Sequence, residues 1–346
     1  MNFNERTAPL SERKNKKIAA FLEDCRKKAK TSIRECNYPD CNEKAINSHI
    51  FQKNGILSSI AKDRHLIAHD IDFYNNHAYT FKRVGINRVF SFDCFCAKHD
   101  SELFKAIESV ALDDLNFDCY ENCLLFVMRG VYNELNSKSE VVRFFKCLIK
   151  DESGLFDKTK LMASLMGNMY GKKDVTGYSK AFWDDLSNGT EKFVFRVRRM
   201  KRLELCLSSS INYETTDELV DYRMKNSKGM ERLAPVFINY FPLKDCSLLL
   251  FGYYKSDYDK ISGYIDMFFS CDEGLAEVGV TNLILFRCEA WVCSEDFYLK
   301  KIKSVENYFD LAANYASKNT NERHLLPLNL FSSDFEKQIK GILGKI

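Results

Sequence analysis

Two short pairs of residues constrain this chain more than any other feature of its sequence. Cys36 and Cys41 stand in C-N-Y-P-D-C, and Cys96 and His99 stand in C-A-K-H. Thiolates and imidazoles are the ligands that zinc prefers, and a structural zinc site takes four of them in a tetrahedron. Pro39-Asp40 supplies turn chemistry that brings Cys36 and Cys41 to one side. Cys96 and His99 sit where a helix is expected to open, so both face back toward the preceding strand. The reading is a closed site for one structural Zn²⁺, made of three thiolates and one imidazole. Cys94 lies two residues before Cys96 and is the weaker ligand candidate. The 54 residues between Cys41 and Cys96 need structure of their own. A helix near 55–69 and a hairpin near 73–92 are expected there, with His65, His69 and His77 as surface or packing residues.

At 346 residues the chain is long for one core, since domains run to about 100–200 residues. The expected fold class is α+β, in four segments. Residues 1–30 form a basic amphipathic helix, with Ile18, Ala19, Phe21, Leu22 and Cys25 at helical spacing. Residues 31–117 form the zinc domain and end in a helix at about 97–109, where Leu103, Phe104 and Ile107 share a face. Residues 118–190 are helical, closing at the Asn188-Gly189 turn. Residues 191–346 form an antiparallel β-rich domain with terminal helices. Within it, Phe193, Phe195 and Val197 alternate, and the apolar runs 234–241 and 246–254 are joined by a short turn. The run 282–293 reads as a further strand, 295–318 as a helix, and the last segment as one more short helix.

The formal net charge is only +3, so any contact with nucleic acid must come from local patches. One such patch is F-R-V-R-R-M-K-R at 195–202. As a strand it carries Arg196, Arg198, Arg199, Lys201 and Arg202 on both faces. It is either an edge strand blunted by charge or a phosphate-binding strip. The basic N-terminal helix is likewise a solvated face or a phosphate-contacting arm. No apolar run approaches the ~20 residues of a membrane helix, and the N-terminus lacks a signal peptide's apolar core. A cytoplasmic chain with no membrane partner is expected. Its 13 cysteines then read as buried thiols and metal ligands, not disulfides. Cys288 and Cys293 repeat the knuckle spacing without a second pair and read as buried thiols. Nucleotide-loop, dinucleotide, hydrolase-elbow and kinase motifs are absent.

Residues 33–108 resemble the HNH/treble-clef zinc endonucleases, with a knuckle, a ββ hairpin and a ligand-bearing helix. In that family the strand leaving the knuckle ends in an Asp-His pair, whose His activates water and whose Asp helps to hold a catalytic metal. A His or Asn on the helix completes that metal site. Here the strand end reads A-I-N-S-H-I, which gives His49, and the helix position after the second pair is Asp100. Ser48 stands where the family has Asp, and Asp100 where it has His. The resemblance implies hydrolysis of DNA or RNA, with His49 as base and Asp100 holding Mg²⁺ or Mn²⁺. Asn47, His69, Glu102 and Glu108 are open as further ligands. The order S-H-I, then F-C-x-x-H-D-x-x-L-F-x-x-I-E, is similar to uncharacterised bacterial proteins. Some HNH proteins belong to phage-defence loci, which implies a protein partner encoded in such an operon. A zinc-stabilised module that binds nucleic acid or protein without catalysis is the other reading. In it His49 bonds a backbone group and Asp100 stabilises a helix N-terminus.

Overall fold

In chain order the elements are α1 (Glu12–Lys30), β1 (Asn47–His49), β2 (His65–Ile71), β3 (Tyr79–Gly85), β4 (Ser91–Asp93), α2 (Ala97–Leu103), α3 (Lys105–Glu108), α4 (Tyr120–Ile149), α5 (Lys158–Asn188), β5 (Phe193–Met200), β6 (Leu205–Asn212), β7 (Pro235–Pro242), β8 (Ser247–Tyr254), α6 (Tyr258–Phe269), α7 (Glu273–Asn282), β9 (Trp291–Cys293), α8 (Asn307–Lys318) and α9 (Phe335–Leu343). Short helical turns lie at 53–57, 283–287 and 295–305. They come from a computed structural model of the protein, which describes residues 12–30, 34–71, 79–151, 154–212, 234–288, 291–319 and 324–345.

The fold is α+β. Among the described residues β1 pairs with β4, and seven strands form a second sheet in the order β3-β2-β9-β6-β7-β8-β5. Every pairing is antiparallel. Side chains alternate across a strand, and this alternation builds two cores. Val236, Ile238 and Tyr240 of β7, with Leu249, Phe251 and Tyr253 of β8, face the core covered by α6, α7, α8 and α9. Phe237, Phe241, Leu248 and Leu250 face the core covered by α4 and α5. The larger sheet is therefore the middle of three layers.

Local signals set the helix limits. The Asp157 carboxylate accepts hydrogen bonds from the amides of Thr159 and Lys160 at the start of α5. Gly189 ends that helix in the left-handed region at φ 60°, as the Asn188-Gly189 turn required.

Several expectations are corrected. The helix near 55–69 is one helical turn at 53–57 followed by strand β2. Leu66 and Ile67 of β2 enter opposite cores, and Ile67 and Ala68 pair with Cys293 and Val292. The partner that makes this segment a strand is thus more than 200 residues away, beyond the reach of local periodicity. The hairpin is β2–β3, earlier than 73–92; residues 72–78, with His77, lie outside those described. Among the described residues of 282–293 only Trp291–Cys293 is strand, and 283–287 continues helically from α7. A buried apolar run does not distinguish the two. The divisions at 117/118 and 190/191 do not separate cores. Ile50, Phe51, Phe92 and Phe95 share one core with α4 and with Phe237 and Phe241 of β7.

The expectation of no disulfide is also overturned, because Cys25 and Cys147 are bonded. Ile18 and Leu22 of α1 pack with Val142, Phe145 and Leu148 of α4 and Leu161 and Leu165 of α5. That contact brings two cysteines 122 residues apart to a Cα–Cα distance of 5.7 Å. Among the described residues no second disulfide joins the remaining eleven cysteines.

The larger sheet and α4 approach closely at Gly252. A Cβ there would lie 2.9 Å from Phe195 Cε1 and 3.2 Å from Val127 Cγ2. Gly252→Ala should therefore destabilise the protein by about 1–3 kcal/mol. The expected readout is a lower urea midpoint with an unchanged slope.

Candidate metal centre

The knuckle is a short antiparallel excursion, closed by a Glu35–Lys44 bridge and by hydrogen bonds from Cys36 N to Glu43 O and from Ala45 N to Arg34 O. Asp40 takes a left-handed φ of 59°, a conformation that Asp tolerates better than most residues. The knuckle is fixed to the chain entering α2. Asn37 donates from both its backbone amide and its side chain to Cys94 O, and Ile46 N donates to Phe95 O. The chain leaves the knuckle as β1, which lies in register with β4: Asn47 faces Asp93, Ser48 faces Phe92, and His49 faces Ser91. β4 then runs into α2, with Cys96 as the residue that precedes the first helical turn.

Knuckle and helix start bring Cys36, Cys41, Cys96 and His99 together, with their four ligand atoms all within 4.8 Å of one another. His99 Nδ1 lies 3.5 Å from Cys36 Sγ and 3.3 Å from Cys96 Sγ. A tetrahedral zinc with ordinary bond lengths separates sulfur and nitrogen ligands by about 3.5 Å, so this donor set fits zinc in type, number and spacing. The amides of Tyr38 and Cys96 donate to Cys36 Sγ at 3.4 and 3.2 Å. Burial pushes the Cys36 thiol up to about 11, with those amides opposing. A bound cation would reverse that burden, since zinc takes the thiolate. Cys94 is buried and outside the cluster.

An aromatic chain supports the imidazole. Tyr38 stacks on His99 with centroids 3.8 Å apart and planes 9° from parallel. Trp183 of α5 meets Tyr38 edge-on at 5.1 Å, and its indole N–H donates to the Tyr132 hydroxyl of α4 at 2.7 Å. The ligand spacing contains no trace of Trp183 or Tyr132, which reach the cluster from helices far along the chain.

His49 ends β1 half-buried, and its Nε2 is buried with no protein hydrogen-bond partner. Burial, then the charges of Lys53 and Arg129, hold the imidazole below its usual range, with backbone groups of Ile86 and Asn87 opposing. Ser48 Oγ and Asp100 Oδ1 are also buried without a partner. Arg129, which sequence reasoning passed over, is 2% exposed. Its guanidinium lies 3.9 Å from the centre of the Phe104 ring, and its Nη2 donates to Glu108 Oε1 at 2.5 Å. Asp100 and Phe104 are one helical turn apart on the α2 segment, joined by a hydrogen bond from Phe104 N to Asp100 O, so both face the same side. The available signal was a lone arginine in the apolar run L-L-F-V-M-R-G-V.

Among the described residues no other group of three or more His, Cys, Asp or Glu side chains converges as these four do. The open candidates are engaged elsewhere or exposed. Asn47 donates to Asn87 O, His69 meets Trp291 edge-on, Glu108 pairs with Arg129, and Glu102 is exposed.

Arg196, Arg198 and Arg199 of the basic run lie on β5, an edge strand of the larger sheet, and Lys201 and Arg202 follow its end. The run is not one continuous cationic surface. Arg198 donates to Phe268 O and Cys271 O at the end of α6. Arg202 donates to Leu243 O and pairs with Glu204. Arg196 lies 5.3 Å from the Phe269 ring centre. Arg199 and Lys201 are exposed, with Arg199 Nη1 3.6 Å from Cys246 Sγ. Alternation sends Arg196 and Arg198 toward α6 and Arg199 to the other face, so the strip anticipated from sequence is divided.

No family model matches the chain, and no solved structure matches it. The DNA ligase of Listeria monocytogenes serotype 4b is 29% identical over 182 residues, covering 49% of this chain and 27% of the ligase. The DNA ligase of Listeria innocua serovar 6a is 28% identical over the same length and share. The chain thus spans 27% of the length of the curated relatives it matches.

Elemental analysis should find one zinc per chain, lost in Cys41→Ser and in Cys96→Ser. Chelation of a Trp291→Phe variant should shift the emission of Trp183, whose ring rests on the tyrosine that stacks against His99. Unchanged emission with zinc removed would show that the aromatic chain does not depend on the metal.

Proposed function

We propose that this chain is an HNH-like nuclease that hydrolyses phosphodiesters of DNA or RNA, with zinc as scaffold and His49 as general base. One observation carries this reading. His49 stands at the end of the strand that leaves the knuckle, paired to the strand that enters the ligand-bearing helix, and its buried Nε2 has no protein partner.

A general base must be unprotonated before it acts. Burial keeps the His49 imidazole in that form, and Nε2 can then accept the proton of a water attacking phosphorus. Structural zinc supplies rigidity, joining the knuckle to α2 so that β1 and β4 hold their register. The fit to a catalytic ion is partial. Asp100 is the one carboxylate that the resemblance assigns to it. Mg²⁺ commonly takes one or two carboxylates, with waters and substrate phosphates completing its shell. The weak likeness to DNA ligases supports nucleic acid as the partner class. A role in phage defence, with a partner from the same operon, rests on the resemblance alone.

A second reading is a zinc-stabilised module that binds without cutting. The lack of a second convergent ligand set among the described residues favours it.

Purified protein with Mg²⁺ or Mn²⁺ should nick or degrade labelled DNA or RNA. His49→Ala should lower that rate at least ~100-fold and leave zinc content unchanged. Binding by the wild-type protein without cleavage would select the second reading. The pH profile supplies another check. A depressed imidazole stays unprotonated as pH falls through the ordinary histidine value of about 6.5, so the rate should hold its plateau there and fall only at lower pH. A drop centred at or above that value would remove His49 from the role.

A further inference from the structure

Arg129 is a poor choice of residue for its surroundings. It lies on α4, outside the knuckle, hairpin and helix, between buried Met128 and Val131. A guanidinium removed from water is costly unless it is paired and fully hydrogen-bonded, and an apolar side chain of similar volume often serves stability as well or better. Arg129 is 2% exposed, yet its Nε and Nη1 donate to nothing. Its one acid partner is Glu108, whose side chain is 39% exposed. Packing on Phe104 favours the cation from below, but does not satisfy its N–H groups.

The surrounding polar atoms have the same defect. Asp100 Oδ1 lies on the Phe104 side of α2, and Ser48 Oγ and His49 Nε2 lie on β1, all buried and without partners. The Arg129 charge reaches His49, where it helps to keep the imidazole neutral. Two unused donors on a buried guanidinium indicate a polar group that belongs there. The donor-rich member, Arg129, suits an oxyanion. Carboxylate and phosphate oxygens are alternative partners for the same guanidinium fork, and one carboxylate already sits on it from the solvent side.

We infer that Arg129 binds a phosphate of the nucleic-acid substrate, and that the Glu108 carboxylate occupies that phosphate's place until substrate displaces it. This rests on the reading of the site as nucleic-acid-directed, and deepens it. Glu108 ends the four-residue helix α3 with half-exposed side chain, so a change of rotamer releases it without movement of α4. Substrate entry then exchanges one anion for another on Arg129.

The test is equilibrium binding of a fluorescent oligonucleotide, followed by anisotropy across a salt series without added Mg²⁺ or Mn²⁺. Glu108→Gln removes the competing charge and should tighten binding about ten-fold, the worth of one charge-assisted hydrogen bond. Arg129→Met should weaken binding by a similar factor and reduce the slope of log affinity against log salt by about 0.7–0.9, the loss of one phosphate contact. Glu108→Gln added to Arg129→Met should change nothing further. Zinc content is measured for every variant. If Arg129→Met fails to fold, Glu108→Gln still decides, since unchanged or weaker binding in that variant overturns the inference. A wild-type salt slope in folded Arg129→Met also overturns it. If the wild-type protein never cleaves but these binding responses appear, nuclease activity is excluded and the inference stands.

Discussion

The structure depends on the packing of one helix. From Cys123 to Arg129 every residue of α4 is buried, followed by Val131 and Tyr132. Such a helix cannot lie on a surface. It is wrapped by the larger sheet, by α5 and by the segment of the candidate metal centre. It approaches the sheet closely enough that a Cβ on Gly130 would lie 2.8 Å from Ser208 Oγ. Opposite that contact, Tyr132 meets Phe95 edge-on at 5.1 Å and Arg129 covers Phe104. The segment that holds the ligands is therefore seated on the helical middle, and shares its core instead of standing as a separate small domain.

This arrangement explains how a long insert fits between the two ligand pairs. The chain leaves β1, crosses to the larger sheet as β2 and β3, and returns as β4. Closing a long loop costs little more entropy than closing a shorter one. The insert is anchored because Ile67 and Ala68 extend the larger sheet through β9. One strand pair holds the two ends of the loop, beside the convergent Cys36, Cys41, Cys96 and His99, and the larger sheet holds its middle.

Two opposite polar strategies coexist near the centre. At the ligand cluster, buried thiols are surrounded by amide donors and an imidazole, a set that one cation completes. Around Arg129 the donors and acceptors remain incomplete. Unsatisfied polar atoms in a dry interior cost about 1–3 kcal/mol each, so the unpaired donors of Arg129 oppose folding and point to a purpose other than stability. The cation of Arg129 and the neutral imidazole of His49 belong to the same local field.

Much of this was legible in the residues themselves. C-x4-C and C-x2-H declared their ligands because metal chemistry restricts both residue type and spacing. Gly189 declared the end of α5 because few residues other than glycine enter the left-handed region easily. The charges of 195–202 declared an edge strand because a central strand cannot bury cations on both faces. What these signals share is locality, since each is settled within a few residues. Tertiary structure alone decided the rest. Residues 65–71 became a strand because β9 lies beside them, and Cys25 met Cys147 because α1 packs on α4. Arg129 became part of the site because Phe104 and Glu108 receive it. Each of these depends on contacts between segments far apart in the chain, and no local pattern of hydrophobicity, charge or spacing records which distant segment will supply the partner.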